Sequence, residues 1–192
     1  EDRIRIAGET GFKAVEFWDP AGRDLPRLAS AAAASGVRIA GCTLNQAWTC
    51  RMDQPADQVV ANVKRSIEMA GELGCPTMIG LAGDITGRTD TQKNILIENL
   101  KRVADLLVRA DMTLVLEALN SYVDHKGYYL DSSLVAFEIA QCVGCPNIRM
   151  LFDIYHMQIM EGNILSHIRE HIDWIGHFHT AGVPGRHEPM AG

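Results

Sequence analysis

The feature that most constrains this chain is a repeated alternation of short apolar or β-branched runs with longer stretches in which apolar residues recur three and four apart. The short runs have the length and composition of buried strands, and the stretches between them have the period of amphipathic helices. Strands are expected at Ala14 to Trp18, Val37 to Leu44, Thr77 to Gly83, Thr113 to Leu119, Ile148 to His156 and Trp174 to Thr180. Helices are expected at Glu1 to Thr10, Leu25 to Ser35, Ala56 to Leu73, Thr91 to Ala110, Ser132 to Val143 and Asn163 to Ile172. In the third of these, Val59, Val63, Ile67 and Ala70 fall on one stripe, as a helix packed on a sheet requires. Gly11, Gly36, Gly74 and Gly144 each stand where a helix must stop before the next strand.

Strictly alternating strands and helices predict a parallel sheet with crossover helices in a single domain spanning residues 1–192. A doubly wound open sheet would be expected to carry a glycine-rich phosphate turn, and no G-x-G-x-x-G occurs. The α/β class expected is therefore a (β/α)8 TIM barrel, here incomplete. The chain holds about six β-α units, whereas a closed eight-fold barrel takes about 250 residues.

Charge and cysteine usage narrow the function. With 24 acidic against 18 basic side chains and no basic run, the chain offers no electrostatic footprint for nucleic acid or an anionic membrane. No apolar stretch approaches the roughly 20 residues that span a bilayer, and Glu1 opens a charged segment rather than a signal peptide. A cytoplasmic protein working on a small molecule is the expectation, with self-association left open. Cys42, Cys50, Cys75, Cys142 and Cys145 are an odd, scattered set, which argues against a disulfide framework. Cys142 and Cys145 form a C-x-x-C, but without a second pair to complete four thiolates they read as small residues in a helix-to-strand turn.

Side chains alternate along a strand, so Glu117 shares a face with Thr113 and Val115 inside an otherwise apolar run. Burying an ionised carboxylate alone costs several kcal/mol, so such a residue is neutral, paired or metal-bound. Asp153 poses the same problem, and His179, with His177 two residues before it, poses a milder form. Singly, each reads as readily as a salt-bridge or capping residue. Three metal-competent groups at the ends of three consecutive strands converge at the barrel mouth, where active sites of this architecture lie. Glu117, Asp153 and His179 are therefore the expected ligands of a divalent metal, with Mg²⁺ or Mn²⁺ the first choice and Co²⁺ or Zn²⁺ also compatible. His167 and His171 are four apart on a helix but lack the H-E-x-x-H base, and they read as a solvated face. Tyr128 and Tyr129 read as packing. Asn45, Trp48 and Tyr155 are loop positions able to shape a pocket.

The stretch from Thr113 to Gly192, with LVLEALN, FDIYHMQIMEGN and above all IGHFHTAGVPGRHEP, resembles the hydroxypyruvate isomerase family among the xylose-isomerase-like barrels. Thr10 to Trp18 adds to that likeness. The resemblance implies a metal-assisted isomerase of a small hydroxycarbonyl compound, with Glu117 as an acid-base group that also touches the metal and Asp153 as a metal ligand. It further implies that His156 contacts a substrate oxygen and that Arg186 holds the substrate's polar end. The family's hydroxypyruvate isomerases are expected to carry Gln where His179 stands, and the related ketose 3-epimerases a His. The resemblance also implies a strand before Glu1, a last strand after Gly192, and a second acid-base Glu just past Gly192. A longer polypeptide, heavier than 21.1 kDa, is therefore expected. Alternatives are a ketose 3-epimerase, a related sugar isomerase or lyase, and a noncatalytic sugar- or metal-binding barrel. An endonuclease IV-like phosphodiesterase would need more inward ligands and a basic DNA face.

Overall fold

A computed structural model describes residues 1–85 and 89–191 of the chain. The elements are α1 (Asp2–Glu9), β1 (Ala14–Phe17), α2 (Leu25–Ala34), β2 (Arg38–Thr43), α3 (Ala56–Leu73), β3 (Thr77–Leu81), α4 (Thr89–Ala110) and β4 (Thr113–Glu117). After them come α5 (Ser133–Val143), β5 (Ile148–Asp153), α6 (Ile154–Met160), α7 (Ile164–His171) and β6 (Ile175–His179). All neighbouring strands pair in parallel and in strict chain order, β1-β2-β3-β4-β5-β6. A doubly wound sheet would reverse its strand order part-way, and this one does not. The sheet is the partial (β/α) barrel that the alternation predicts.

The helix-to-strand corners form as the glycines dictate. Gly74 and Gly144 cap α3 and α5 in the left-handed region, at φ 62° and 68°, where a side chain is strained. One face of the sheet packs against the helices. Met78, Leu114, Leu116, Ile148, Met150 and Phe152 meet Val63, Leu96, Leu100, Val103 and Phe137 in one buried core. Ile79, Val115 and Leu151 form a separate small cluster. Val115 lies two residues before Glu117, and Leu151 two before Asp153, so this cluster is the apolar layer directly beneath the two carboxylates.

Several strands end earlier than their apolar runs suggest. The fifth, expected to reach His156, stops at Asp153, and the short helix α6, which the sequence reading missed, starts at once. Asp153 itself is the reason. Its Oδ1 accepts from the main-chain N–H groups of Tyr155 at 2.8 Å and His156 at 3.2 Å, which caps the new helix. The solvated face expected for His167 and His171 is also corrected in part. The His171 ring stacks on Phe137, centroid to centroid at 4.3 Å. Among the described residues no helix is long and apolar enough to cross a membrane.

Candidate active site

Glu117, Asp153 and His179 are the last residues of β4, β5 and β6, and Asp153 and His179 are direct register partners. The strand ends therefore bring the three together. Nδ1 of His179 stands 3.4 Å from Oε1 of Glu117 and 3.9 Å from Oδ2 of Asp153. Neither contact is at hydrogen-bond distance for a well-aligned N–H.

Glu117 is buried, and its Oε2 has no hydrogen-bond partner among the described residues. Burial raises its carboxyl above the ordinary value, against the pull of His179 and with a push from Asp153 and Glu16. Below it, the Tyr128 hydroxyl donates to the Glu117 carbonyl at 3.0 Å and accepts from the Ala82 N–H at 2.7 Å. That bridge seats the end of β4, so Tyr128 is packing with a positional consequence. Asp153 has committed Oδ1 to the helix cap and turns Oδ2 toward the site.

His156 is buried against the same carboxylates, with Nε2 3.6 Å from Oδ2 of Asp153. Glu117, Asp153 and His156 are close enough to hold one cation, as are Glu16, His177 and His179. The tautomer of His156 argues against a ligand role for it. Its Nδ1 receives the main-chain N–H of Asn120 at 3.1 Å and lies 2.6 Å from the Asn120 amide nitrogen. Both partners donate, so Nδ1 is the acceptor and the neutral ring carries its proton on Nε2. Burial, outweighing Asp153, takes this ring down to about 4, so it is neutral at physiological pH. Nε2–H is a donor without a partner among the described residues, and it offers no lone pair to a metal.

A cavity of about 310 Å³ opens beside these groups, lined by Trp18, Trp48, Glu117, Leu119, His125, His156 and Arg186. Arg186 occupies the left-handed region at φ 58° in the exposed turn after β6 and lies over the Tyr155 ring, 5.1 Å from its centroid. The Tyr155 hydroxyl donates to Asp124 at 2.8 Å, and the Asn120 amide donates to the same oxygen at 2.8 Å, tying the loop after β4 to α6. Trp18 stacks on Trp48 and Trp48 on His125, each pair 5.7 Å apart between ring centroids, as one aromatic wall. Of the loop positions named from sequence, Trp48 lines the cavity, Tyr155 supports Arg186, and Asn45 instead bonds Asn62 in the scaffold.

Sequence reasoning missed Glu16 and His125. Glu16 lies in β1, and its carboxylate reaches across the barrel to β6, with Oε1 2.7 Å from Nε2 of His179 and Oε2 2.8 Å from Nε2 of His177. The signal was present, because AVEFW places a carboxylate inside an apolar run just as TLVLE does.

Residues 4–192 match the family described as Xylose isomerase-like TIM barrel. The chain belongs to this family. It is 32% identical to a putative hydroxypyruvate isomerase of Homo sapiens over 98% of this chain and 73% of that one. It is 30% identical to a 2-oxo-tetronate isomerase of Cupriavidus necator over 100% of this chain and 76% of that one. A crystal structure described as an AP endonuclease, family 2, from Brucella melitensis superposes with a TM-score of 0.91 at 28% identity, over 98% of this chain and 76% of that one. The barrel expected from the alternation of strands and helices is thus also the fold of the family.

Proposed function

We propose that this family member is a metal-assisted aldose-ketose isomerase of a short 2-oxo or hydroxycarbonyl acid, of the hydroxypyruvate and tartronate semialdehyde type. One observation carries the reading: a buried carboxylate, Glu117, has an unpartnered oxygen in a small cavity that also holds a fixed donor, His156, and a cation, Arg186. The names of the relatives, both isomerases of 2-oxo acids, support the substrate class. The net charge of −6 speaks against a DNA-binding face.

The donor set fits a divalent cation. Two carboxylates and an imidazole converge, and Oε2 of Glu117 is a buried acceptor without a donor among the described residues. Glu117, Asp153 and His179 would hold the ion, which when bound supplies a Lewis acid for the carbonyl and hydroxyl oxygens of the substrate. Glu117 takes the proton from the carbon next to the carbonyl, and the electron pair moves onto oxygen to give an enediolate. A base raised above the usual carboxylate range by burial suits that task. Nε2–H of His156 donates to a substrate oxygen, and Arg186 pairs with the substrate carboxylate at the exposed mouth. The resemblance assigns the proton's return to a second carboxylate.

A second reading, a ketose 3-epimerase, is favoured by His179 itself, which stands where the resemblance expects His in epimerases and Gln in hydroxypyruvate isomerases. The product separates the two. Incubating the Mn²⁺-loaded protein with hydroxypyruvate and, separately, with a ketohexose should yield tartronate semialdehyde from the first and no C3 epimer from the second. The opposite pattern selects the epimerase. Glu117→Gln should lower turnover by about 10²- to 10⁴-fold while leaving the circular dichroism spectrum unchanged, and retained turnover would exclude Glu117 as the base.

A further inference from the structure

Glu16 belongs to none of the roles assigned so far, yet it is the residue through which the two edge strands of the sheet meet. It stands on β1 and contacts β6 across the barrel, 163 residues away in sequence. Oε1 lies 2.7 Å from Nε2 of His179 in an aligned hydrogen bond, and Oε2 lies 2.8 Å from Nε2 of His177 at ion-pair distance. The carboxylate passes over Gly41 of β2, its register partner. A Cβ there would lie 2.6 Å from Oε2, so only glycine leaves the path open.

A carboxylate accepts and does not donate. Its bond to Nε2 therefore keeps a proton on that nitrogen, so Nδ1 is the nitrogen that releases its proton and offers a lone pair when a cation binds. Nδ1 is the nitrogen that faces Glu117 and Asp153, at 3.4 and 3.9 Å. We infer that Glu16 is a positioning residue for the metal site, holding His179 as its Nε2–H tautomer so that the Nδ1 lone pair points between Glu117 and Asp153. The inference rests on the proposed ligand role of His179. Glu16 touches neither ion nor substrate, and it acts through the ring it orients, as carboxylates behind metal-bound histidines do. His177 stands at ion-pair distance from the second oxygen, which accepts no aligned hydrogen bond among the described residues.

The test uses the protein expressed from its full reading frame, stripped of metal and titrated with Mn²⁺ by calorimetry, together with ¹⁵N-histidine spectra of the Zn²⁺-loaded form. The wild type should bind one Mn²⁺ at this site and show His179 protonated at Nε2. Glu16→Ala should weaken Mn²⁺ binding about 10- to 100-fold and abolish the single-tautomer signature. Glu16→Gln, which keeps one acceptor oxygen in the same volume, should recover part of the affinity. Gly41→Ala approaches the same carboxylate from outside the site and should weaken binding in the same direction, which covers a Glu16→Ala protein that does not fold. Unchanged affinity and tautomer in folded Glu16 variants would overturn the positioning role while leaving the metal site standing. Two ions bound by the wild type, one of them lost with Glu16, would overturn it in favour of a separate cation on Glu16, His177 and His179. No Mn²⁺ binding by the wild type would overturn both this inference and the metal reading on which it rests.

Discussion

The main-chain N–H of Asn120 donates to Nδ1 of His156 at 3.1 Å, and this one bond separates the two histidine-carboxylate contacts of the site into different jobs. It fixes the proton of His156 on Nε2 and so makes that ring a donor toward the cavity. Glu16 holds a proton on Nε2 of His179 from the other side and leaves its Nδ1 facing the carboxylates. Both rings carry a proton on Nε2. They differ in which nitrogen faces the site.

If His156 donates to a substrate oxygen, His156→Phe should keep the ring volume and lose about 10- to 100-fold in kcat/KM, the worth of one hydrogen bond to a charge-bearing oxygen. The Asn120 N–H would lose its acceptor as well, so stability should fall by about 1–3 kcal/mol. The assay therefore belongs well below the melting temperature of the variant. An unchanged kcat/KM would place the substrate away from this ring.

Asp153 has two oxygens with separate duties, and Asp153→Asn divides them. The amide oxygen can still accept from Tyr155 and His156, so α6 should stay capped and the melting temperature should change little. The amide nitrogen in place of Oδ2 cannot ligate a cation. Mn²⁺ affinity should fall by more than the roughly 100-fold that marks loss of an outer partner, and activity removed by a chelator should not return on adding Mn²⁺. Calorimetry on both proteins checks the first point, and an assay after dialysis against EDTA checks the second.

The Glu16 and His179 pair gives the metal-free protein a pH signature. Burial alone would raise the Glu16 carboxyl, but His177 and His179 outweigh it and hold it down at about 2. Burial alone would lower His179, but Glu117 and Glu16 outweigh it and raise it to about 10. Glu16 therefore contributes stability that is present above its ordinary 4.5 and is lost as pH falls toward 2. The contribution of His179 is complete below its ordinary 6.5 and is lost as pH rises through 10. His156, lowered to about 4 by burial, binds a proton more readily unfolded than folded between 4 and 6.5, so stability rises with pH across that window. With chelator present, the melting temperature should peak near pH 6.5 and decline toward 10. His179→Gln should flatten the alkaline limb, and an alkaline limb unchanged in that variant would count against the pairing.

The sequence makes some of this site legible and hides the rest for physical reasons. Glu117 and Asp153 stand out because a strand alternates with period two and an ionisable group inside an apolar strand demands a partner. The partner of His179 is another matter. Glu16 and His179 meet only because the sheet curves enough to bring its first and last strands within reach across the barrel, and curvature leaves no local trace in either strand. The end of β5 fails differently. Ile154 and Tyr155 prolong the apolar run, and only the capping geometry of Asp153 turns that run into a helix. His125 sits in a loop held by Asn120 and by stacking on Trp48, contacts that no periodicity announces.

Tyr128 offers a test of how finely the base must be held. Its ring is fully buried, and its hydroxyl bridges the Ala82 N–H just past the end of β3 and the Glu117 carbonyl at the end of β4. Tyr128→Phe keeps the packing and removes that bridge. The buried Ala82 N–H is then left without its acceptor, which should cost about 1–3 kcal/mol in a denaturant titration with little change in slope. Because the ring still fills its space, the peptide of Glu117 gains freedom without a cavity forming beneath it. Turnover should fall while KM stays near its wild-type value, since His156 and Arg186, the groups proposed to hold the substrate, are untouched. A rise in KM with turnover unchanged would mean that the bridge shapes the cavity rather than the base.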